Sequence, residues 1–287
     1  MSSSINPPIL VGSDGSPTSL AAVRWAAADA ARRRAPLNIV YAISAPIDYG
    51  PAIAVPQIDY DSYRQEGRTA LEIARKNAVA AASPIGELDI TADLVEAPPI
   101  PVLRDRSKSA RLLVVGTHGL GAFSRSILGS VSTALARHAA CPVAVIPADF
   151  EHAGGPVVVG VDGSSCSARA VEVAFDEAAH RDAELVAVHT WSEFFRYISR
   201  AEMQNEAEEL VSQSLAGYGE KYPEVRVRRI VVEDRSAKRL IDEGENAQLI
   251  VVGSHGRGGF AGMTLGSVSQ AVLHGAKAPV IIARSAN

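Results

Sequence analysis

Short apolar runs alternate along the chain with longer stretches of helical periodicity, and the whole alternation occurs twice. In the first half, β-branched runs predict strands near residues 8–13, 37–43, 89–96, 111–116 and 142–147. The patterns between them predict helices near residues 16–34, 62–82, 100–109 and 129–140. In the second half the corresponding strands fall near residues 156–161, 184–190, 225–233, 248–253 and 279–284.

The strand runs are apolar at consecutive positions, as in LLVV at 112–115. Such runs indicate strands that are buried on both faces, which are typical of parallel sheets covered by helices. Strand–helix–strand units with right-handed crossovers build open, doubly wound sheets. The pattern therefore predicts an α/β fold of two tandem doubly wound (Rossmann-like) domains, each with a five-stranded parallel sheet.

Sequence similarity between the halves indicates a duplicated domain. GSDGS at 12–16 returns as GVDGS at 160–164, and LGSVS occurs at both 128–132 and 265–269. The offset is 148 positions for the first motif and 137 for the second, so the first half carries about eleven extra residues. We place them in a surface loop at 46–63, and we expect domains at 1–147 and 156–287 joined by a linker at 148–155.

Composition narrows the class of protein. The net charge of the 287 residues is −4 without long runs of one sign, which argues against binding to nucleic acid or an anionic membrane. No apolar stretch reaches the ~18 residues of a membrane span, and the N-terminus lacks signal-peptide features. Cys141 and Cys166 occupy non-matching positions in the two halves, which argues against a disulfide framework. We expect a cytoplasmic protein.

The stronger candidate motif is a glycine frame in each half: Gly116, Gly119 and Gly129-Ser130, then Gly253, Gly256 and Gly266-Ser267. We expect the first glycine, at a strand end, to let a ligand approach the backbone. The second is expected to adopt positive φ and expose N–H groups. The third opens a helix whose free N–H groups and dipole favour phosphate. The frame predicts a polyphosphate cradle without a lysine; the alternative is a purely structural strand-to-helix loop.

A second candidate motif is an aspartate after the first strand of each half, Asp14 and Asp162. One interpretation is structural, because a carboxylate followed by Gly-Ser can cap a helix. The other places the carboxylate at the mouth of a nucleotide site. Since phosphates would repel it, there it would bind the ribose or the base, or hold a metal.

Other chemistry-bearing residues are less informative. His118 and His255 recur in the glycine loops, where we expect solvated histidines, with phosphate contact as the alternative. Arg125 and Arg257 could neutralise phosphate or simply be solvated. The chain has no GxxxxGK[ST], no GxSxG and no metal-ligand spacing. The loose dinucleotide pattern GRGGFA at 256–261 follows the fourth strand of its half rather than the first.

The repeated aspartates, together with G-x2-G-x9-G-S in each half, resemble the tandem type of the universal stress protein family. Members of that family that carry the glycine motif bind ATP. The resemblance therefore implies two ATP sites, with or without Mg²⁺. It also implies pairing through the last strand of each half, and we expect a homodimer of the whole chain.

The resemblance also implies which residues form the two sites. Site one would comprise Gly12, Asp14, Ala42, Gly116, Thr117, His118, Gly119, Gly129, Ser130 and Val131. Site two would comprise Gly160, Asp162, His189, Gly253, Ser254, His255, Gly256, Arg257, Gly266, Ser267, Val268 and Ser269. Of these, Ala42 and His189 mark the backbone that would hold adenine, just after the second strand.

Three classes of function compete for this chain. The first is an ATP-dependent regulator of stress adaptation or growth, which would act through an unidentified protein partner. The second is a slow ATPase or adenylate-forming enzyme. The third is a scaffold that binds no nucleotide. We favour the first, because the motifs offer a phosphate cradle but no evident nucleophile, general base or arginine finger.

Overall fold

The structure is a computed structural model of the 287-residue chain, and it describes residues 6–43, 60–119, 128–150, 154–192, 199–258 and 264–284. Arg125 lies outside the described residues. So does the loop expected at 46–63, apart from residues 60–63, which begin a helix. No helix in the described ranges is long and apolar enough to cross a bilayer.

The elements of the first half lie close to their predicted positions. The strands are β1 (Ile9–Gly12), β2 (Leu37–Ala42), β3 (Ile90–Val95), β4 (Leu112–Gly116) and β5 (Val143–Ile146). The helices are α1 (Pro17–Arg33), α2 (Tyr60–Ala82), α3 (Pro99–Arg106) and α4 (Ser130–His138). The helix expected at 100–109 ends at Arg106 and continues as a short 3₁₀ turn, Ser107–Ser109.

The second half repeats this order. Its strands are β6 (Val157–Gly160), β7 (Leu185–Trp191), β8 (Val227–Glu233), β9 (Leu249–Gly253) and β10 (Val280–Ala283). Its helices are α5 (Ser165–His180), α6 (Arg200–Ser214), the one-turn α7 (Tyr218–Lys221), α8 (Ser236–Gly244) and α9 (Ser267–Gly275).

The strands of the two halves join into one sheet. Among the described residues its order is β3-β2-β1-β4-β5-β10-β9-β6-β7-β8. Strands within each half are parallel, which confirms the predicted fold class, whereas β5 and β10 pair antiparallel with Ile281 opposite Ala144. The pairing of the two final strands is confirmed. Each is the edge strand of its own half, and their pairing places both in the middle of the joined sheet.

Small residues let the helices pack closely on this sheet. Helix α1 buries a row of alanines, including Ala22, Ala26 and Ala30, against strands that are buried along their length. Its N-terminus is capped by the Ser16 side chain, and that of α5 by the Ser164 side chain. The start of each first helix is thereby held next to the end of the first strand of its half.

A reciprocal ion-pair cluster joins α1 to α5 across the boundary between the halves. Asp29 and Glu177, like Arg33 and Arg181, are 148 positions apart and therefore correspond in the repeat. Arg33 lies 2.9 Å from Asp29 and 2.7 Å from Glu177, and Arg181 lies 2.8 Å from Asp29 and 3.0 Å from Glu177. All four side chains are at most 4% exposed, and Arg181 also stacks on Trp25. Each half thus supplies one acid and one base.

Candidate functional site

The second half contains a pocket of about 310 Å³ at the carboxyl ends of β6, β7 and β9. In doubly wound sheets this is where ligands bind. The structure brings nearly all the predicted residues of site two to its wall: Gly160, Asp162, His189, Gly253, His255, Gly256, Arg257, Gly266, Ser267, Val268 and Ser269. Ser254 is buried behind the wall, where its hydroxyl lies 3.0 Å from His255 Nδ1.

The pocket has an apolar end and a polar end. Val161, Val188 and Leu240 are buried apolar residues that line it. The polar end is formed by the glycine loop after β9 and by the start of α9. This polarity suits a ligand that combines a flat apolar group with a charged one.

The helix that opens onto the polar end begins at a glycine. Gly266 is the N-cap of α9, and no described side chain caps this helix. Its own N–H donates to the Ser254 carbonyl oxygen at 2.7 Å, as the Gly129 N–H does to Thr117 in the first half. The N–H groups of the first turn have no acceptor within the helix. They can therefore receive an anion, which the helix dipole also favours.

A serine one turn into each helix ties it to the preceding strand. The Ser269 hydroxyl donates to the Gly253 carbonyl oxygen at 2.7 Å, and the Ser132 hydroxyl donates to that of Gly116 at 2.6 Å. Ser269 was among the predicted site residues and Ser132 was not, although both end the repeated LGSVS. The two bonds fix the distance between the strand end and the helix start.

Asp14 and Asp162 are not the helix caps. Asp162 Oδ1 accepts the N–H of Ser164, the residue that does cap α5, at 2.9 Å, and Asp14 Oδ1 accepts that of Ser16 at 3.0 Å. The capping interpretation is therefore wrong in its detail, because each aspartate closes a turn two residues before the N-cap serine of the helix. The Asp162 Oδ2 atom faces the glycine loop and accepts the Arg257 N–H at 3.3 Å.

The nearby aspartate carboxylate explains why the second position of each frame is a glycine. A Cβ on Gly256 would lie 2.6 Å from Asp162 Oδ2, and one on Gly119 would lie 2.5 Å from Asp14 Oδ2. Neither glycine has positive φ, so the expected conformational reason is wrong. The absent side chain is required by the close approach of the loop to the aspartate.

The first glycine of each frame is explained by helix packing. A Cβ on Gly116 would lie 2.9 Å from the backbone of Thr18, and one on Gly253 would lie 2.8 Å from the backbone of Cys166. The space expected for a ligand is therefore filled by the first turn of α1 or α5. Gly12 similarly faces Leu103, at 2.8 Å from a built Cβ.

Sheet register corrects the expected equivalence of Ala42 and His189. Gly12 pairs with Val40 and Gly160 pairs with Val188, so Ala42 corresponds to Thr190. Thr190 lines the pocket, and its Oγ1 lies 2.6 Å from the Ser236 hydroxyl at the start of α8. Neither Thr190 nor Ser236 was among the predicted site residues. Aligning the strands from the Gly-x-Asp motif would have indicated Thr190; Ser236 carried no such signal.

The loop histidines are half-buried rather than fully solvated. His118 Nδ1 lies 2.8 Å from the Thr117 hydroxyl, which parallels the His255–Ser254 contact. His189 Nδ1 lies 2.7 Å from the Val161 carbonyl oxygen, which can only accept, so Nδ1 carries the proton. Within the described ranges no three His, Cys, Asp or Glu side chains could together hold a metal ion.

The two cysteines are expected to react very differently with thiol reagents. Burial raises the pKa of Cys141 to about 12, whereas Cys166 is half-buried beside Ser254 and His255. At pH 8 a pKa near 12 leaves roughly a thousandfold less thiolate than an ordinary cysteine has. Titration with a disulfide reagent should therefore label one thiol quickly, and Cys166→Ser should remove that phase. Equal labelling rates for both thiols would contradict the structure.

Comparison with known proteins agrees with this geometry. The profile of the universal stress protein family matches residues 6–147 and 155–284. Universal stress proteins Rv2005c and Rv2623 of Mycobacterium tuberculosis are 45% and 42% identical to the chain, each over 96% of both sequences. A crystal structure of a universal stress protein from Archaeoglobus fulgidus shares the fold, with a TM-score of 0.66 at 20% identity over 98% of this chain and 97% of that one. The chain therefore belongs to the universal stress protein family.

Proposed function

We propose that this protein binds ATP in both halves and acts as a nucleotide-dependent regulator of stress adaptation or growth. The observation that carries the proposal is the pocket of the second half, where an apolar wall and an uncapped helix start face the same space. The proposed domain boundaries remain 1–147 and 156–287, with a linker at 148–155.

The apolar end of the pocket is suited to adenine. Val161, Val188 and Leu240 would cover the faces of the base, and the Thr190 hydroxyl could hydrogen-bond to its edge or to the ribose. Burying one flat base against such a wall favours binding through the hydrophobic effect. The corrected equivalence places Ala42 at the corresponding point of the first half.

The polar end is suited to phosphates. The first-turn N–H groups of α9 and the exposed Ser267 hydroxyl can donate to phosphate oxygens, and Arg257 adds a positive charge at the rim. Ser130 and Val131 occupy the corresponding positions at the start of α4. Asp162 would repel phosphates, so we assign it to the ribose hydroxyls, which can donate to its carboxylate.

A single added methyl group in the loop tests this proposal. Gly256→Ala brings a Cβ within 2.6 Å of Asp162 Oδ2, so the loop or the carboxylate must move. Such overpacking costs roughly 1–3 kcal/mol, and we expect the affinity of site two for ATP to fall about tenfold or more. Calorimetric titration of ATP into the nucleotide-free protein measures this change. Mass spectrometry of ligand released on denaturation identifies any nucleotide that co-purifies.

Gly219→Ala, on α7 and outside the pocket lining, is the matched control in the same half. A Cβ on Gly219 has no protein atom within 4 Å, so the substitution adds the same methyl group without a clash. We expect near-normal ATP affinity in this variant. Failure of the unmodified protein to bind ATP at millimolar concentration would refute the proposal. An equal loss in both variants would refute the role given to Asp162.

Turnover of labelled ATP under saturating conditions separates a regulator from a slow ATPase or adenylate-forming enzyme. We propose binding with little hydrolysis.

A homodimer of the chain remains part of the proposal. Because β5 and β10 each already pair on both sides, such a dimer would use another surface.

A further inference from the structure

A second cavity, of about 460 Å³, lies between the two halves and away from the glycine frames. The first half contributes the turn that precedes β4 and the residues that precede β5. The second half contributes one side of α5, α7 and the residue after β10. Its described lining includes six cationic side chains: Arg33, Lys108, Arg111, Arg169, Lys221 and Arg284. The lining carboxylates are three, Glu172, Asp176 and Glu177. Two more, Asp29 and Asp105, lie outside the described lining but pair with Arg33 and Lys108, so the six cations face five carboxylates.

We propose that this interdomain cleft binds a compact phosphate-bearing anion. The site is separate from the proposed ATP sites and does not depend on them. Guanidinium and ammonium groups together suit phosphate, since arginine supplies paired donors and lysine a mobile point charge. A cavity of this size accommodates a small polyanion.

Some of the cleft cations are already paired with carboxylates, and others contact neutral groups. Arg33 belongs to the buried ion-pair cluster, and Arg169 contacts Glu172. The Lys108 ammonium lies 3.0 Å from the Asp105 carboxylate at the exposed rim. Lys221, by contrast, has its ammonium 5.2 Å from the centre of the Tyr222 ring. The pairing of Arg111 is loose, at 3.7 Å from Asp176.

Arg284 is a cleft cation whose hydrogen bonds to described residues go only to neutral groups. Its guanidinium donates to the carbonyl oxygens of Ala139 and Ala136, at 2.9 and 3.0 Å, and not to any described carboxylate. Burial lowers the pKa of this arginine below its usual value, because the charged form is partly removed from water. An anion in the cleft would offset that unfavourable desolvation.

The duplication provides an internal comparison, because the positions of these cations have equivalents in the other half of the chain. Gln248 corresponds to Arg111, and their N–H groups donate to equivalent carbonyl oxygens, of Pro156 and Pro8. Glu245 corresponds to Lys108, 137 positions earlier in the chain. Pro147 likewise corresponds to Arg284. The duplicated fold therefore forms without these three cations, so their concentration on one side of the domain boundary is not a requirement of folding.

The test uses inorganic pyrophosphate as the probe and calorimetric titration of the full chain. The cleft variant is Lys108→Gln/Arg111→Gln. The control is Arg68→Gln/Arg75→Gln, which removes the same charge from exposed positions on α2. We expect pyrophosphate affinity to fall about tenfold or more in the cleft variant and less than twofold in the control. Binding by the unmodified protein should weaken as salt is raised.

Several results would overturn the proposal. One is the absence of pyrophosphate binding to the unmodified protein at millimolar concentration. Another is an equal loss in the cleft and control variants, which would indicate a general charge effect. A third is a loss confined to Gly119→Ala/Gly256→Ala, which would place the anion in the glycine frames. Thermal unfolding checks that each variant is folded. If the cleft variant does not fold, Lys221→Gln takes its place, because Lys221 is exposed, and the same criteria apply.

Discussion

Replacing Arg33 with methionine is expected to lower the free energy of unfolding by about 3–5 kcal/mol. Arg33 is 3% exposed and contacts Asp29 and Glu177, both of which are buried. Burial raises the pKa of Asp29, but Arg33 and Arg181 more than offset this effect and hold it below its usual value. Without Arg33, two buried carboxylates share one arginine, and the uncompensated charge destabilises the folded chain. Urea denaturation followed by circular dichroism measures the loss.

Arg24→Met is the matched control for this prediction. Arg24 lies on the same helix but is exposed, and its Nη1 donates to Asn77 at 3.2 Å. We expect this control to change stability by less than about 1 kcal/mol. Adding Asp29→Asn to Arg33→Met should restore part of the loss, because it removes the excess negative charge. A double variant less stable than Arg33→Met alone would contradict the charge-balance explanation.

Placing lysine at Val280 is expected to have an effect of similar size. Val280 is 3% exposed and pairs with Val145, where the two halves meet in the sheet. A lysine there must bury its charge or separate β10 from β5, and we expect stability to fall by about 4 kcal/mol or more. The unmodified chain should unfold in one cooperative transition by calorimetry. The variant should unfold at lower temperature, with the transitions of the halves separated.

Val227→Lys is the control, because it makes the same replacement in β8 at the end of the sheet. Val227 is 37% exposed, so the lysine can extend its ammonium group into water. We expect a change within about 1 kcal/mol. Comparable losses at both positions would show that lysine destabilises the strands themselves. Two uncoupled transitions in the unmodified chain would contradict the joined sheet.

The duplication, the order of strands and helices and the glycine spacing could be predicted from the sequence, because each depends on local pattern. Fully buried parallel strands require unbroken apolar runs, and LLVV and LIVV return at the same point of each half. The candidate site could be located for the same reason. The carboxyl ends of parallel strands meet at one edge of a sheet, so motifs that follow β6 and β9 had to converge there.

Only the tertiary structure decided the individual side-chain contacts between residues distant in sequence. The reason for Gly256 lies in the carboxylate of Asp162, which no local rule places within 2.6 Å of its missing Cβ. The pairing of Thr190 with Ser236 depends on which strands are neighbours in the sheet. The ion pair from Arg181 to Asp29 spans 152 positions and exists only because the two halves associate. A linear pattern records which side chains face the core, but the contacts between them depend on how the elements pack.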